Sequence, residues 1–423
     1  MQPLILTPSA FSDAAAAGMV LEEAWRQHRQ VGLGALEDRD DLRRALGLGD
    51  GLSPRGLQMG AAVVVGSGGS SGRRRWCVQP LSHLEASAKA TGRWLQAQGV
   101  DPSSCLHLNA LPLHHVSGLM PLVRCRQWGA QLRWLPPSLL RRPAQLAAAL
   151  PLDDPHTKPV LLSLVPTLLR RFLADPIALD WLRRCRVIWV GGAPLEARDA
   201  SVARRSGLPI SPCYGATETA AMVCALTPEQ FLAGTQGCGH PLHDVDLRLD
   251  PASSALEVHC QRLSPGWLKD GQLVPLPQPQ PGWWRSGDGA KLTAGGLQIL
   301  GRLDGAIHSG GETLFLEMLE ARLTAEAEAA GLGLQKLMLL GVPDQVWGER
   351  LVALLQTVPG TSPADLIGGL QRLVVRWRPA ERPRQWQHCP ELAVNCQGKW
   401  ERHYWRQWLQ ARELLSPARP SQS

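Results

Sequence analysis

Residues 214–219 read YGATET, preceded by VIWVGGAPLEARD (187–199) and followed by AAMVCALTPEQFL (220–232). One aromatic ring, one glycine, two threonine hydroxyls and a carboxylate sit bunched in an apolar neighbourhood. A plain loop would be more polar throughout, and a plain core strand would carry no Glu218. These residue types suit a ligand with a flat base, a phosphate and a metal.

Outward from this stretch, short apolar runs alternate with amphipathic segments. AAVVVG (61–66), LHLNALPL (106–113), PVLLSLV (159–165) and CRVIWVGG (185–192) read as buried strands. Between them, 82–100, 117–130 and 166–184 read as helices. The alternation predicts an α/β domain with a largely parallel sheet. From about residue 237 the segments VDLRL, ALEVHC, GWLKDG, GWWRSGDG and GGLQILG are short strands split by Gly and Pro. They predict a small β-rich subdomain, about 237–301. After GRLDG (301–305) the pattern is that of a compact α+β domain. Its last helix, WERHYWRQWLQARELL, is expected to pack Trp400, Tyr404 and Trp408 on one face. LSPARPSQS reads as a frayed tail.

Composition narrows the function. The 423 residues are 44% hydrophobic and 19% charged, enough for a globular core of two or three domains. No run of about 18 apolar residues predicts a membrane span, and the first residues do not read as a signal peptide. A cytoplasmic protein is expected. Ten scattered cysteines form no zinc-spaced cluster and read as reduced core thiols. The net charge of +7 includes one dense run, Arg73–Arg74–Arg75. That run lacks the interleaved aromatics of a nucleic-acid platform, so an anionic small molecule is the expected partner rather than nucleic acid. Homo-oligomerisation is left open. The basic residues are mostly Arg, with only six Lys among 44, and Trp outnumbers Phe and Tyr together.

Further candidate motifs follow. VVVGSGGSSGRRRW (63–76) runs from a strand into small residues and then positive charge. Exposed backbone N–H groups, Ser hydroxyls and arginines can wrap an oxyanion, although this is not a Walker loop. PLHHVSGL (112–119) contributes His115, and VGGAP (190–194) ends a strand in two glycines. Beyond YGATET come GWWRSGDG with Asp288, GRLDG with Arg302 and Asp304, HSGGETLFLEMLE, GVPDQVWGER, and NCQGKWER with Lys399.

The order and separations of this series resemble the adenylate-forming superfamily, the acyl-CoA synthetases and their relatives, over about residues 60–410. Within it, PLHHVSGL, TAAMVCAL and QGKWER look most like the o-succinylbenzoate–CoA ligase branch of menaquinone and phylloquinone biosynthesis. The resemblance implies a large N-terminal α/β adenylation domain with its β-rich subdomain (1–301), a hinge at 302–304, a small mobile α+β lid (305–415) and a flexible tail (416–423). It implies an AMP-forming acid–CoA ligase that uses ATP, Mg²⁺ and coenzyme A. Ser67, Gly68, Gly69, Ser70, Ser71, Gly72 and Arg75 would hold the β- and γ-phosphates. Tyr214, beside Gly215, would stack on adenine, with Gly192 and Ala193 along its edge. Thr217 would contact the α-phosphate and Glu218 would ligate Mg²⁺. Asp288, helped by Arg302, would hold the ribose. Lys399 would reach both the acyl carboxylate and the α-phosphate, and His115 would sit between the acid pocket and the thiol channel. The same chemistry on another acid, and a non-catalytic adenylate-binding relative, are the alternatives.

Three departures stand out. The family's phosphate loop closes with Pro then Lys, where this chain has Arg74 and Arg75. The loop arrives early, so part of the usual N-terminal region is expected to be missing. Leu316 replaces the Pro that usually follows the SGG motif.

Overall fold

A computed structural model describes residues 3–8, 14–48, 60–67, 74–152, 158–393 and 401–415. Gly68, Gly69, Ser70, Ser71, Gly72, Lys399 and the 416–423 tail therefore lie outside the described residues. The chain divides into two compact units, Met1–Ser286 with Ala290–Ile299, and Gly287–Gly289 with Leu300–Ser423.

The first unit is built on two large sheets. One has seven strands, in the order His240–Pro241, Ala221–Ala225, Ile210–Ala216, Val187–Val190, Val160–Leu164, Leu106–Asn109 and Gln131–Trp134. The last five run parallel, Ala221–Ala225 runs against them, and His240–Pro241 pairs antiparallel with Ala221–Ala225. VLLSL and VIWV are buried at every position, as strands covered on both faces must be. Helices Val116–Trp128 and Ala197–Arg205 make crossovers between parallel neighbours. The segment 166–184 is two helices rather than one, Pro166–Leu173 and Pro176–Arg183. Pro176 has no N–H to continue the first helix. Asp175 caps the second by accepting from the N–H groups of Ile177 and Ala178.

The other sheet has six strands, Leu4–Leu6, Gln30–Leu33, Ala62–Ser67, Arg75–Pro80, Gly266–Lys269 and Gln272–Pro275. VVV thus belongs to a different sheet from the parallel strands, because Ala62–Ser67 pairs antiparallel with Arg75–Pro80. The GWLKDG hairpin extends this sheet through Arg75–Pro80. The remaining short strands, Asp246–Leu249, Ala255–His259, Trp283–Thr293 and Gly296–Arg302, form a four-stranded sheet.

In the second unit, Gly348–Thr357 pairs along its length with Leu334–Asp344, and with Ile307–Ser309 and Gln385–His388. Helices Leu316–Ala329 and Pro363–Val374 bury Leu319, Leu323, Leu366 and Leu370 against these strands. Of the face expected of the last helix, Trp400 lies outside the described residues and Trp408 is half-buried against the core, but Tyr404 is turned outward. Tyr404 is 53% exposed, whereas Trp405 and Leu409, four residues apart, are buried with Met338 and Leu354. The stripe lies one residue further round than the aromatic spacing suggests, because the neighbouring strands choose the face. Among the described residues no helix is long and apolar enough to cross a membrane, and every cysteine is free.

One close approach fixes the turn that carries His115. A Cβ on Gly118 would lie 2.1 Å from the carbonyl oxygen of Pro112. The Asn109 amide holds the same turn, donating to the Gly118 carbonyl at 2.7 Å and accepting from Leu111 N–H at 3.0 Å. Gly118→Ala is expected to cost about 1–3 kcal/mol of stability through overpacking. Urea denaturation would show it, and an unchanged midpoint would contradict this account of the turn.

Candidate functional site

YGATET ends one parallel strand and starts the sharp return to the next. Strand Ile210–Ala216 runs into a short 3₁₀ turn, Thr217–Thr219, and Ala221–Ala225 comes back antiparallel. Ala220 and Ala221 hold φ of 52° and 76°, the left-handed region that non-glycine residues avoid. Gly215 lets the two strands close up, since a Cβ there would lie 2.1 Å from the Ala221 carbonyl oxygen.

The two threonines of the motif have different work. Thr219 is fully buried, and its hydroxyl bonds the carbonyls of Ala216 and Ala221 at 3.0 and 2.7 Å. It also accepts from Ala216 N–H at 3.0 Å. Thr219 therefore closes the turn, and its hydroxyl is not available to a ligand as the sequence suggests. Thr217 is held only through its backbone, whose carbonyl accepts from the buried Gln79 amide at 2.7 Å.

Glu218 is 8% exposed. Its Oε1 accepts from the Trp267 indole N–H at 3.0 Å, and its backbone carbonyl accepts from Ser264 N–H at 2.7 Å. The other face of the Trp267 story is Arg75, whose Cζ lies 4.9 Å from the ring centroid. One indole thus touches both the expected metal ligand and the expected phosphate cation. Burial and the Glu218 charge push the nearby Cys77 thiol well up, so it is no nucleophile.

Behind the turn lies Arg262, with no exposed side-chain surface. It donates to the carbonyls of Thr219 and Met222, to Ser87 Oγ, and to Asp244 at 2.7 Å. Trp267, Arg262, Gln79 and Asn109 are absent from the residues singled out by sequence. Trp267 lies near in sequence to none of its partners, and only strand pairing brings it to Arg75–Pro80.

Other expected residues fall nearby in the same unit. Ser67 is buried and pairs in register with Arg75 across the base of the 68–73 segment. Arg74 is paired with Asp38 at 2.6 Å. His115 begins helix Val116–Trp128, its ring 4.5 Å from that of His114. Burial first, then His114 and Arg74, bring its pKa down to about 4, so it is neutral at pH 7. Gly192 and Ala193 are exposed at the end of strand Val187–Val190, beside the strand that carries Tyr214.

Asp288 and Arg302 meet in the second unit, where Arg302 Nη1 lies 3.3 Å from Asp288 and Nη2 lies 3.3 Å from Asp304. Arg402, three residues beyond Lys399, is tied to helix Leu316–Ala329. It donates to both carboxylate oxygens of Glu320 at 3.0 and 2.8 Å. Burial pushes Glu320 up to about 7 in spite of that partner.

Comparison with known proteins agrees with this architecture. Residues 49–258 match the AMP-binding enzyme family. The chain is similar to 2-succinylbenzoate–CoA ligases. It is 28% identical to that of Salmonella typhimurium over 302 residues, covering 71% of this chain and 60% of the relative. For Enterococcus faecalis the figures are 25% over 360 residues, 83% and 70%. The chain thus spans about 60% of the length of the Salmonella relative. In fold it is similar to the o-succinylbenzoate CoA synthetase of Bacillus subtilis solved with its acyl-adenylate intermediate. The TM-score is 0.72 at 18% identity, covering 100% of this chain and 89% of that one. The wild-type Escherichia coli enzyme with a bound analogue gives 0.69 at 21%, covering 97% and 88%.

The indole bridge can be tested without assay of activity. Trp267→Phe keeps a ring under Arg75 but removes the N–H donated to buried Glu218. Leaving that carboxylate short of a donor is expected to cost about 1–3 kcal/mol. In a double-mutant cycle with Glu218→Met, which removes the acceptor, the two losses should not add. Strict additivity by denaturant titration would show that the contact carries no energy.

Proposed function

We propose that the chain is an ATP-dependent acid–CoA ligase working through an acyl-adenylate, with 2-succinylbenzoate as its acid. The observation that carries the reading is the Glu218–Trp267–Arg75 arrangement at the end of the parallel sheet. It joins a buried carboxylate and a cation through one indole, in the unit that also carries the exposed Gly192–Ala193 edge. The match to the AMP-binding enzyme family and the similarity to 2-succinylbenzoate–CoA ligases support the choice of chemistry and acid.

The site suits Mg²⁺ bound together with a nucleotide. Glu218 Oε1 is held by Trp267, and among the described residues no hydrogen bond takes Oε2. No group of three His, Cys, Asp or Glu gathers there among the described residues. Glu218 would hold the ion together with phosphate and water oxygens, as is usual for Mg²⁺. Bound there, the ion supplies charge neutralisation that lets a carboxylate approach a polyphosphate.

The chain's own residues do the rest. Arg75, with Ser67 and the segment Gly68, Gly69, Ser70, Ser71 and Gly72, holds the β- and γ-phosphates. Tyr214 stacks on adenine along Gly192, Ala193 and Gly215, and Thr217 steadies the α-phosphate. Asp288 and Arg302 hold the ribose. The acid's carboxylate oxygen attacks the α-phosphorus and pyrophosphate leaves, with Lys399 stabilising the charge that develops. The CoA thiolate then attacks the acyl carbon, and AMP leaves with the bonding pair. His115, neutral at pH 7, and Ser117 border the acid pocket. Asp304 is the hinge about which the small domain moves between the two half-reactions.

The purified chain should release pyrophosphate from ATP faster with 2-succinylbenzoate than with benzoate, coumarate or medium-chain fatty acids. A preference for one of those would move the reading to another acid, and no release with any acid would move it to a non-catalytic relative. Lys399→Ala should lower ATP–pyrophosphate exchange by roughly 10²-fold or more while ATP still binds. Near-normal exchange would remove Lys399 from the mechanism.

A further inference from the structure

Arg75 meets the Trp267 ring because two separate pieces of chain stand in register. Strand Gly266–Lys269 pairs antiparallel with Arg75–Pro80, which sets Trp267 opposite Cys77 and Leu268 opposite Trp76. Side chains alternate across a strand, so Arg75, Cys77 and Trp267 share one face of the sheet, and Trp76 and Leu268 share the other. Arg75 and Trp267 are diagonal neighbours, within reach of a long side chain.

The opposite face is covered by one short segment, the turn Leu36–Asp38 and the helix Arg39–Ala45 that follows it. Leu42, Ala45 and Leu46 pack there with Trp76, Val78 and Leu268 in one buried cluster. Three polar contacts add to this packing, and each falls beside the Arg75–Trp267 pair. Asp38 takes Arg74 Nη1 at 2.6 Å and accepts from Ala35 N–H at 3.3 Å. Asp41 accepts from the indole N–H of Trp76 at 2.7 Å. The Ala45 carbonyl accepts from Gly271 N–H at 2.9 Å, at the tip of the hairpin that carries Trp267. Both chain neighbours of Arg75 are therefore tied down, and so is the hairpin that supplies its ring. The Arg74–Asp38 pair is also partly enclosed, with side chains 33% and 16% exposed, so it is screened less than a surface pair.

We infer that Asp38 and Asp41 are positioning residues for Arg75, and that the segment 36–46 is a clamp behind the sheet that aims this cation at the triphosphate of ATP. The inference rests on the ligase reading above and deepens it, since that reading assigns Arg75 to the β- and γ-phosphates without saying what aims it. Both aspartates work from behind the strand and act through it. A long side chain loses rotamer freedom when it is ordered, and fixing the strand and the ring beforehand spares ATP binding part of that cost. Pairing Arg74 with Asp38 also keeps a second guanidinium from competing with Arg75 for the same ligand.

The test is the Kd for Mg·ATP, measured by calorimetry on the full chain without acid or turnover. Asp38→Asn combined with Arg74→Gln removes the ion pair at unchanged net charge and should raise Kd about 5-fold. Asp41 has an exposed partner of its own, Arg44 at 3.7 Å. Asp41→Ala combined with Arg44→Ala, again at unchanged net charge, should raise Kd about 3-fold. In an Arg75→Gln enzyme neither pair of changes should weaken binding further, because the clamp acts through Arg75. In turnover, KM for ATP should rise while KM for 2-succinylbenzoate does not. An unchanged Kd in the Asp38 variant overturns the clamp. So does a loss of the same size in the Arg75→Gln background, which is what general loosening of the fold would produce. If the Asp38 variant does not fold, the Asp41 variant decides by the same two criteria. A wild type that binds Mg·ATP but releases no pyrophosphate with any acid overturns the ligase reading, while the Kd comparison still decides the clamp. A wild type that does not bind Mg·ATP overturns both.

Discussion

The buried guanidinium of Arg262 is the fixed point of the first unit. It binds the carbonyls of Thr219 and Met222, on either side of the two left-handed alanines. Non-glycine residues in that conformation cost about 1–2 kcal/mol each, and they persist only where surrounding contacts over-determine them. Here the contacts come from separate parts of the chain. Gln79 holds the carbonyl of Thr217, Ser264 holds that of Glu218, and Thr219 closes the turn from inside. Asp244 keeps the clamp itself neutral as a pair, without which a buried charge would destabilise the fold it organises.

From this clamp the rest of the site follows. A turn held in that strained form directs Glu218 inward toward Trp267 and leaves Thr217 on the open side. Trp267 is available there because its hairpin pairs with Arg75–Pro80, the strand that also presents Arg75. The two sheets of the first unit thus meet chemically at one indole. The carboxylate comes from the seven-stranded sheet and the cation from the six-stranded sheet.

Sequence made the parallel strands and the YGATET turn legible, because VIWV and VLLSL have no polar position to turn outward and the motif breaks that pattern abruptly. It could not assign the work of Thr217 and Thr219, since the same side chain either closes a turn or meets a ligand according to the direction of the backbone. Nor could it choose the buried face of the last helix, where Tyr404 and Trp405 are both aromatic and only the facing strands decide. The excess of Trp over other aromatics gave no spacing to read. In three dimensions it accompanies the excess of Arg, and among the described residues seven arginines lie over tryptophan rings. Arginine suits that role because its planar, weakly hydrated cation stacks where an ammonium would not. Five of these pairs join residues 35 or more apart in the chain, so no local pattern announces them.

The end of the expected phosphate loop has the same logic. The resembled family closes this loop with a stiff proline and then a lysine, where this chain has two arginines. They are not equivalent. Arg74 is spent on Asp38, and the following Trp76 donates its indole N–H to Asp41 at 2.7 Å. Both acidic residues belong to the segment 36–45, so that segment grips the strand on which the loop ends. Rigidity that a proline ring would supply covalently is supplied here by an ion pair and a hydrogen bond. Arg75, lying instead on the Trp267 ring, is left as the cation that faces outward. An anchor made of an ion pair and a hydrogen bond weakens as ionic strength rises, as one made by a proline ring would not.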